Sequence, residues 1–128
     1  MSHSDELTMA LVGCGRIAQA HRRGIETHAR RIRVTAVVDS DPGAAEEMAA
    51  KTGATAFPSL DAALDHGGFD AVDIMLPHDA HEEAAVRSFR AGKHVVLEKP
   101  MATSLDACDR VMAAARSAGT VFMVAEQS

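Results

Sequence analysis

Six short apolar runs, separated by segments with helical punctuation, constrain the fold of this 128-residue chain more than any other feature. Several runs are apolar at nearly every position, which is typical of strands in a parallel sheet whose two faces are both covered. We therefore predict six strands, in the runs TMALVG, VTAVVD, ATAF, AVDIML, HVVLE and VFMVA.

The segments between these runs carry residues that begin and end helices. Asp41 and Pro42 suit the N-cap and the first helical position, and Gly53 suits the left-handed residue that follows a helix. Further along the chain, Asp79 and Glu82 have the spacing of a capping box before EAAVRSFRA. Both places are therefore predicted to be helical.

The fold class follows from the alternation of these elements. The capping-box helix closes at Gly92, and further helices are predicted in SLDAAL and in LDACDRVMAAARSA, which Thr103 or Ser104 can cap and Gly119 ends. Strands that alternate with helices over short connections predict an α/β fold, a doubly wound parallel sheet with right-handed crossovers. Six strands match the order 3-2-1-4-5-6 of dinucleotide-binding folds, here in a single domain, residues 1–128.

Composition disfavours several classes of partner. The formal net charge is -5 and the chain has no Trp or Tyr, which argues against binding to nucleic acid. The Arg-rich stretch HRRGIETHARRIR is interpreted as a solvated helix face. Cys14 and Cys108 are too few for a disulfide framework, the start MSHSDELT lacks an export signal, and no run could span a membrane. We expect a cytoplasmic protein.

The motif GCGRIA stands directly after the first predicted strand and fills the pattern G-x-G-x-x-G/A. Its first glycine permits a tight turn, its second lets the backbone approach a pyrophosphate, and its final alanine allows close packing of helix on strand. The helix N-terminus then faces the anion. The predicted phosphate-binding residues are Gly13, Cys14, Gly15, Arg16, Ile17 and Ala18.

An acidic residue at the end of the second strand completes the dinucleotide pattern. Asp39 follows the glycines by about 20 residues, which is the separation expected for the carboxylate that binds the adenosine ribose. Asp41 is the competing acid, but the proline after it favours an N-cap role. Because a carboxylate repels a 2′-phosphate and Ser40 rather than an Arg comes next, NAD is favoured over NADP.

The fourth strand ends in MLPHDAH and the fifth in LEKPMA. In a parallel sheet all strands end at one edge, so motifs that are distant in sequence meet at one crevice there. The residues expected at this crevice besides the glycine turn are Pro77, His78, His81, Glu98 and Lys99.

These motifs together resemble a known family. GCGRIA, VVDSDP, LPHDAHEEAA and AGKHVVLEKPMATS are similar to the N-terminal domain of the Gfo/Idh/MocA oxidoreductases, named for glucose-fructose oxidoreductase, inositol dehydrogenase and a rhizopine-catabolism protein. The resemblance covers essentially the whole chain. Many dehydrogenases share the glycine pattern, whereas AGKHVVLEKP on the fifth strand is specific to this family.

The resemblance implies an activity and residue roles. Members use NAD or NADP to oxidise or reduce a carbon of a sugar, cyclitol or related compound. Lys99 matches the Lys of the EKP motif, which lies beside the nicotinamide and contacts the reacting hydroxyl, and Glu98 would shape the nicotinamide-ribose pocket. His81 matches a His common after the fourth strand and is the second catalytic candidate, whereas His78 stands where the family more often has Asn.

Physical chemistry is consistent with the role of Lys99, since a buried ammonium near a cofactor can stabilise an alkoxide that develops during hydride transfer. The alternative is a lysine whose charged end extends to water. His78 and His81 could instead suggest a metal site completed by Asp79 or Glu82. Because both acids already have a capping role, we predict no metal.

Family members continue past the sixth strand into a larger α/β domain that supplies most of the substrate pocket. This chain stops at VAEQS, so the resemblance implies the nucleotide-binding half of an oxidoreductase, which alone binds cofactor with little or no turnover. Two alternatives stay open: an NAD-responsive sensor or partner-binding module, and the NAD domain of an NAD-dependent glycosidase. Substrate identity and oligomeric state depend on the second domain, through which an oligomer could form.

Overall fold

A computed structural model of the chain describes residues 7–13, 32–76, 80–98, 105–120 and 122–125. Its strands form one six-stranded sheet in the order 3-2-1-4-5-6, and every neighbouring pair is parallel. The predicted fold class and strand order are therefore confirmed. The strands are β1 (Leu7–Val12), β2 (Ile32–Val38), β3 (Thr55–Phe57), β4 (Ala71–Ile74), β5 (His94–Glu98) and β6 (Phe122–Ala125).

Four described helices connect these strands: α1 (Pro42–Thr52), α2 (Leu60–His66), α3 (His81–Arg90) and α4 (Leu105–Ala118). The caps predicted for α1 are confirmed. The Asp41 side chain accepts a hydrogen bond from the Gly43 amide, Pro42 is the first helical residue, and Gly53 ends the helix in the left-handed conformation with φ +78°. Local sequence therefore sets both ends of this helix.

The sheet is buried on both faces, which explains why its strands are apolar at consecutive positions. On one face, Ala63 of α2, Phe89 of α3 and Val111 of α4 pack against strand residues such as Val72. On the other face, Met48 of α1 packs against a second set, Met9, Leu11, Val37 and Ala71. Alternate residues of one strand thus serve opposite cores.

The capping box predicted at the start of α3 is wrong for Glu82. The helix begins at His81 with Ala80 as its N-cap and no side-chain cap, so Glu82 stands one position too early for a capping box. Its carboxylate instead binds the Arg110 guanidinium of α4, with Oε1 accepting from Nη2 at 3.0 Å. This hydrogen bond lowers the pKa of Glu82 below its usual value. Asp79 lies outside the described residues.

The start of β5 is fixed by a lysine at the edge of the sheet where the strands begin, called here the amino edge. Lys93 Nζ donates to the Phe69 carbonyl at 2.7 Å and lies 4.8 Å from the centre of the Phe69 ring. The Lys93 carbonyl accepts from Thr120 Oγ1 at 2.9 Å. The lysine of the AGKHVV stretch therefore joins the loops before β4, β5 and β6.

We predict that Lys93→Met lowers the free energy of unfolding by about 2 kcal/mol, because it removes a charge-assisted hydrogen bond and a cation–π contact. Lys51→Met is the matched control. Lys51 forms an exposed ion pair with Glu47 in α1, so its loss should cost less than about 0.5 kcal/mol. Urea unfolding measures both variants, and equal effects would contradict this role of Lys93.

Candidate functional site

The edge of the sheet where the strands end, called here the carboxyl edge, is organised around the end of β1. The Gly13 amide donates to the Val38 carbonyl of β2 at 2.8 Å, and the Met75 amide donates to the Val12 carbonyl at 2.9 Å. The end of β1 is therefore held between the ends of β2 and β4. In a doubly wound sheet this is the point where ligands bind.

Gly13 is required there for two reasons. Its φ is +95°, which disfavours any residue with a side chain. A Cβ at this position would lie 2.7 Å from the Met75 carbonyl oxygen and 3.5 Å from Leu76 Cδ2. The first glycine of the motif thus makes the close contact between the turn and the chain that leaves β4. The other predicted phosphate-binding residues, 14–18, lie outside the described residues.

Asp39 is placed at the carboxyl edge as predicted, directly after β2. Its Oδ1 accepts from the Asp41 amide at 2.8 Å, which fixes the orientation of the carboxylate. Asp41 Oδ1 accepts from the Gly43 amide at 3.0 Å, so the competing acid is engaged as the cap of α1. Ser40 between them is exposed. The structure therefore brings Asp39 and Gly13 to one edge of the sheet and assigns Asp41 to the helix.

His81 is buried, with 1% of its surface exposed, and its Nε2 lies 2.6 Å from the Leu76 carbonyl oxygen. Since a carbonyl oxygen only accepts hydrogen bonds, Nε2 is the donor. A ring this buried has almost no surface to offer a ligand. The His81 ring therefore contacts the backbone of the chain that leaves β4, and the catalytic and cofactor contacts predicted for it stay predictions.

Of the predicted EKP residues, only Glu98 lies within the described residues. Glu98 is the last residue of β5, and its neighbour Leu97 pairs with Ile74 of β4. The backbone of β5 therefore ends beside β4 at the carboxyl edge. Lys99, Pro77 and His78 lie outside the described residues, and their contacts stay predictions.

One buried acid was missed by the sequence interpretation. Asp73 of β4 is only 3% exposed and pairs in register with Leu11 on one side and Val96 on the other, on the sheet face that α1 covers. The available signal was a single charged residue inside the apolar run AVDIML, since a buried carboxylate needs partners. Asp73 lies one strand residue before the β4 terminus.

A cavity also lies away from the carboxyl edge. A groove of about 870 Å³ runs between α3 and α4 and is lined by Val86, Phe89 and Ala114 among others. Two of the acids on its rim, Glu82 and Glu83, are bound to Arg110 and Arg87. Because this groove lies among the outer helices and both of its acids are paired with arginines, the carboxyl edge has the better chemistry for a ligand.

No three His, Cys, Asp or Glu side chains in the described part of the chain are grouped closely enough to hold a metal ion. Of the helices that the structure describes, none is both long and apolar enough to cross a bilayer.

Comparison with known proteins identifies the family of this chain. The family described as an oxidoreductase family with an NAD-binding Rossmann fold matches residues 7–126. Inositol 2-dehydrogenase 2 from Saccharopolyspora erythraea is 37% identical over 88% of this chain and 34% of its own length. A 4-carboxy-2-hydroxymuconate-6-semialdehyde dehydrogenase from a Sphingobium species is 32% identical over 92% of this chain and 38% of its own length.

A solved structure is similar over the same region. The WlbA dehydrogenase from Chromobacterium violaceum, in complex with NADH and UDP-GlcNAcA, has a TM-score of 0.91 and 36% identity, covering 94% of this chain and 35% of that one. The chain thus spans about a third of the length of the curated relatives it matches.

We predict that Gly13→Ala destabilises the fold by about 2 to 5 kcal/mol, because it adds left-handed strain to a contact with backbone. Gly92→Ala is the matched control. Gly92 also has a positive φ, +79°, but no atom lies within 4 Å of an added Cβ, so only about 1 kcal/mol of strain is expected. Thermal unfolding distinguishes them, and equal losses would contradict the contact with Met75.

Proposed function

This chain belongs to the Gfo/Idh/MocA oxidoreductase family, and we propose that it is the nucleotide-binding half of an enzyme that transfers a hydride between nicotinamide and a secondary alcohol carbon. One observation carries the proposal. Gly13 follows β1 and Asp39 follows the neighbouring parallel strand β2, so both residues lie at the carboxyl edge. This is where a Rossmann sheet binds the pyrophosphate and the adenosine ribose.

The described residues fit a dinucleotide. The close approach of the Gly13 backbone to Met75 leaves no room for a side chain, as the tight turn at the first glycine of a dinucleotide motif requires. The fixed carboxylate of Asp39 can accept hydrogen bonds from both ribose hydroxyls. We assign residues 14–18 to the pyrophosphate and favour NAD over NADP, because Asp39 would repel a 2′-phosphate.

The reaction needs a charged group at the reacting carbon, and we assign that role to Lys99. When bound, the nicotinamide accepts or returns the hydride. Lys99 would hold its ammonium beside the substrate oxygen, stabilise the negative charge that develops there, and exchange a proton with it. Pro77, His78 and Glu98 would line the nicotinamide-ribose pocket. Lys99 follows directly after β5, which ends beside β4 at this edge.

The substrate class stays broad in this proposal. The named relatives act on an inositol and a semialdehyde, and the similar solved structure holds a nucleotide sugar. Proteins that share this N-terminal third thus differ in substrate, which supports the view that the rest of the polypeptide selects it. We propose a sugar, a cyclitol or a related compound, and we keep the cytoplasmic location as a prediction.

The coding sequence after Ser128 tests the proposal of an incomplete enzyme. We expect an in-frame second α/β domain, since the relatives are roughly two and a half times as long as this chain. A stop codon directly after Ser128 would contradict it and would favour the NAD-responsive sensor.

In the polypeptide that includes this continuation, we predict that Lys99→Ala lowers kcat by on the order of 100- to 1000-fold while the Kd for NADH changes less than about threefold. The matched control is Lys51→Ala, which removes an exposed lysine on α1 and should change neither constant. Stopped-flow absorbance of NADH formation measures kcat. Undiminished turnover by Lys99→Ala would contradict the assignment.

We predict that Asp39→Asn weakens NADH binding about tenfold or more, because it removes a charged acceptor of ribose hydrogen bonds, and that it strengthens NADPH binding. The gain for NADPH should shrink at high salt. Asp65→Asn removes the same charge from the exposed surface of α2 and is the control. Fluorescence titration gives both constants, and tighter binding of NADPH than NADH by the unaltered chain would contradict the predicted preference.

A further inference from the structure

We propose that His81 is a positioning residue of the dinucleotide site, acting through the Leu76 carbonyl on the wall that faces Gly13. This inference rests on the proposed function, because it assumes that the Gly13 turn binds the cofactor. It replaces a direct catalytic contact with an indirect role. His81 would touch neither cofactor nor substrate.

The first step is the bond from His81 to Leu76. Leu76 lies two residues beyond the end of β4, so its carbonyl has left the regular strand, and among the described residues His81 supplies its donor at 2.6 Å. The imidazole is 1% exposed, which shields this bond from competing water. Among the described residues, the His81 side chain therefore fixes the direction of the Leu76 carbonyl.

The His81 ring is held rigidly. His81 is the first residue of α3, and the helix behind it is anchored in the core by Ala84, Ala85 and Phe89, each at most 5% exposed. Moving the His81 ring would require moving that helix or turning the ring inside a packed core. The helix thus offers a fixed reference point for the chain that leaves β4.

The segment that leaves β4 is joined to Gly13. The Met75 amide donates to the Val12 carbonyl at 2.9 Å, and the Met75 carbonyl and Leu76 Cδ2 face the Cα of Gly13. A Cβ on Gly13 would meet them at 2.7 and 3.5 Å, so no slack exists between the two segments. A displacement of Leu76 would therefore be felt at the turn that we assign to the pyrophosphate.

The experiment compares variants that keep or remove the donor. His81→Gln places an amide nitrogen at nearly the reach of Nε2, His81→Asn places one too close to the backbone, and His81→Leu has none. Ser88→Ala is the matched control: Ser88 is fully buried on the same helix and its Oγ donates to the Ala84 carbonyl at 2.8 Å, away from the carboxyl edge. The Kd for NADH and the amide chemical shift of Gly13 are measured for each.

We expect His81→Leu and His81→Asn to weaken NADH binding about tenfold and to shift the Gly13 amide, because the Leu76 carbonyl loses its partner. His81→Gln should recover binding to within about threefold, and Ser88→Ala should leave the Kd and the Gly13 shift unchanged. If His81→Leu does not fold, the comparison of His81→Gln with His81→Asn decides the question.

Equal NADH affinity in the Gln, Asn and unaltered proteins would overturn the proposal, as would a Gly13 amide that does not respond to loss of the donor. The amide shift is read without cofactor. A failure of the unaltered chain to bind NADH would therefore contradict the proposed function, while the response of Gly13 would still test the link from His81.

Discussion

The close contact between Gly13 and the Met75 carbonyl is the constraint on which the carboxyl edge depends. The neighbouring strands β2 and β4 end level with β1. The chain can turn away from β1 only at a residue without a side chain, because a Cβ there would collide with the Met75 carbonyl. Gly13 meets that condition, and its amide donates to the Val38 carbonyl of β2 at the same time. Gly13 is thus held from both sides in the absence of a ligand.

The two edges of the sheet divide stability from function. At the amino edge, Lys93 joins loops through a backbone carbonyl and an aromatic ring, and Thr8 Oγ1 binds Asp70 Oδ2 at 3.0 Å. At the carboxyl edge, the Asp41 amide donates to the Asp39 carboxylate at 2.8 Å and so orients it. Such a division lets the amino edge carry the fold while the other edge is shaped for a ligand.

Sequence predicted the features that are encoded locally. The apolar runs gave the six strands, and Asp41, Pro42 and Gly53 set the ends of α1, because their effects act within a few residues. The placement of Asp39 at the carboxyl edge followed from strand order alone. These predictions needed only the pattern and the rule that parallel strands end together.

The features that sequence did not predict depend on partners that are distant in the chain. Glu82 looked like a capping residue but binds Arg110, 28 residues away. The hydrogen bond from His81 to the Leu76 carbonyl was likewise not predicted. Thr35 has no pairing partner in β1, because the register steps from Met9–Val34 to Ala10–Ala36. The Thr35 hydroxyl instead donates to the Gly68 carbonyl. No local pattern distinguishes these roles, because each is decided by tertiary packing.

We propose that the carboxyl edge around Gly13 binds a dinucleotide. Titration of the ¹⁵N-labelled chain with NADH, followed by amide chemical shifts, tests it directly. We predict saturable shifts at Gly13, Asp39 and Leu76, and little change at Thr8 and Asp70 of the amino edge. Shifts confined to the groove between α3 and α4, or none at millimolar NADH, would contradict the claim.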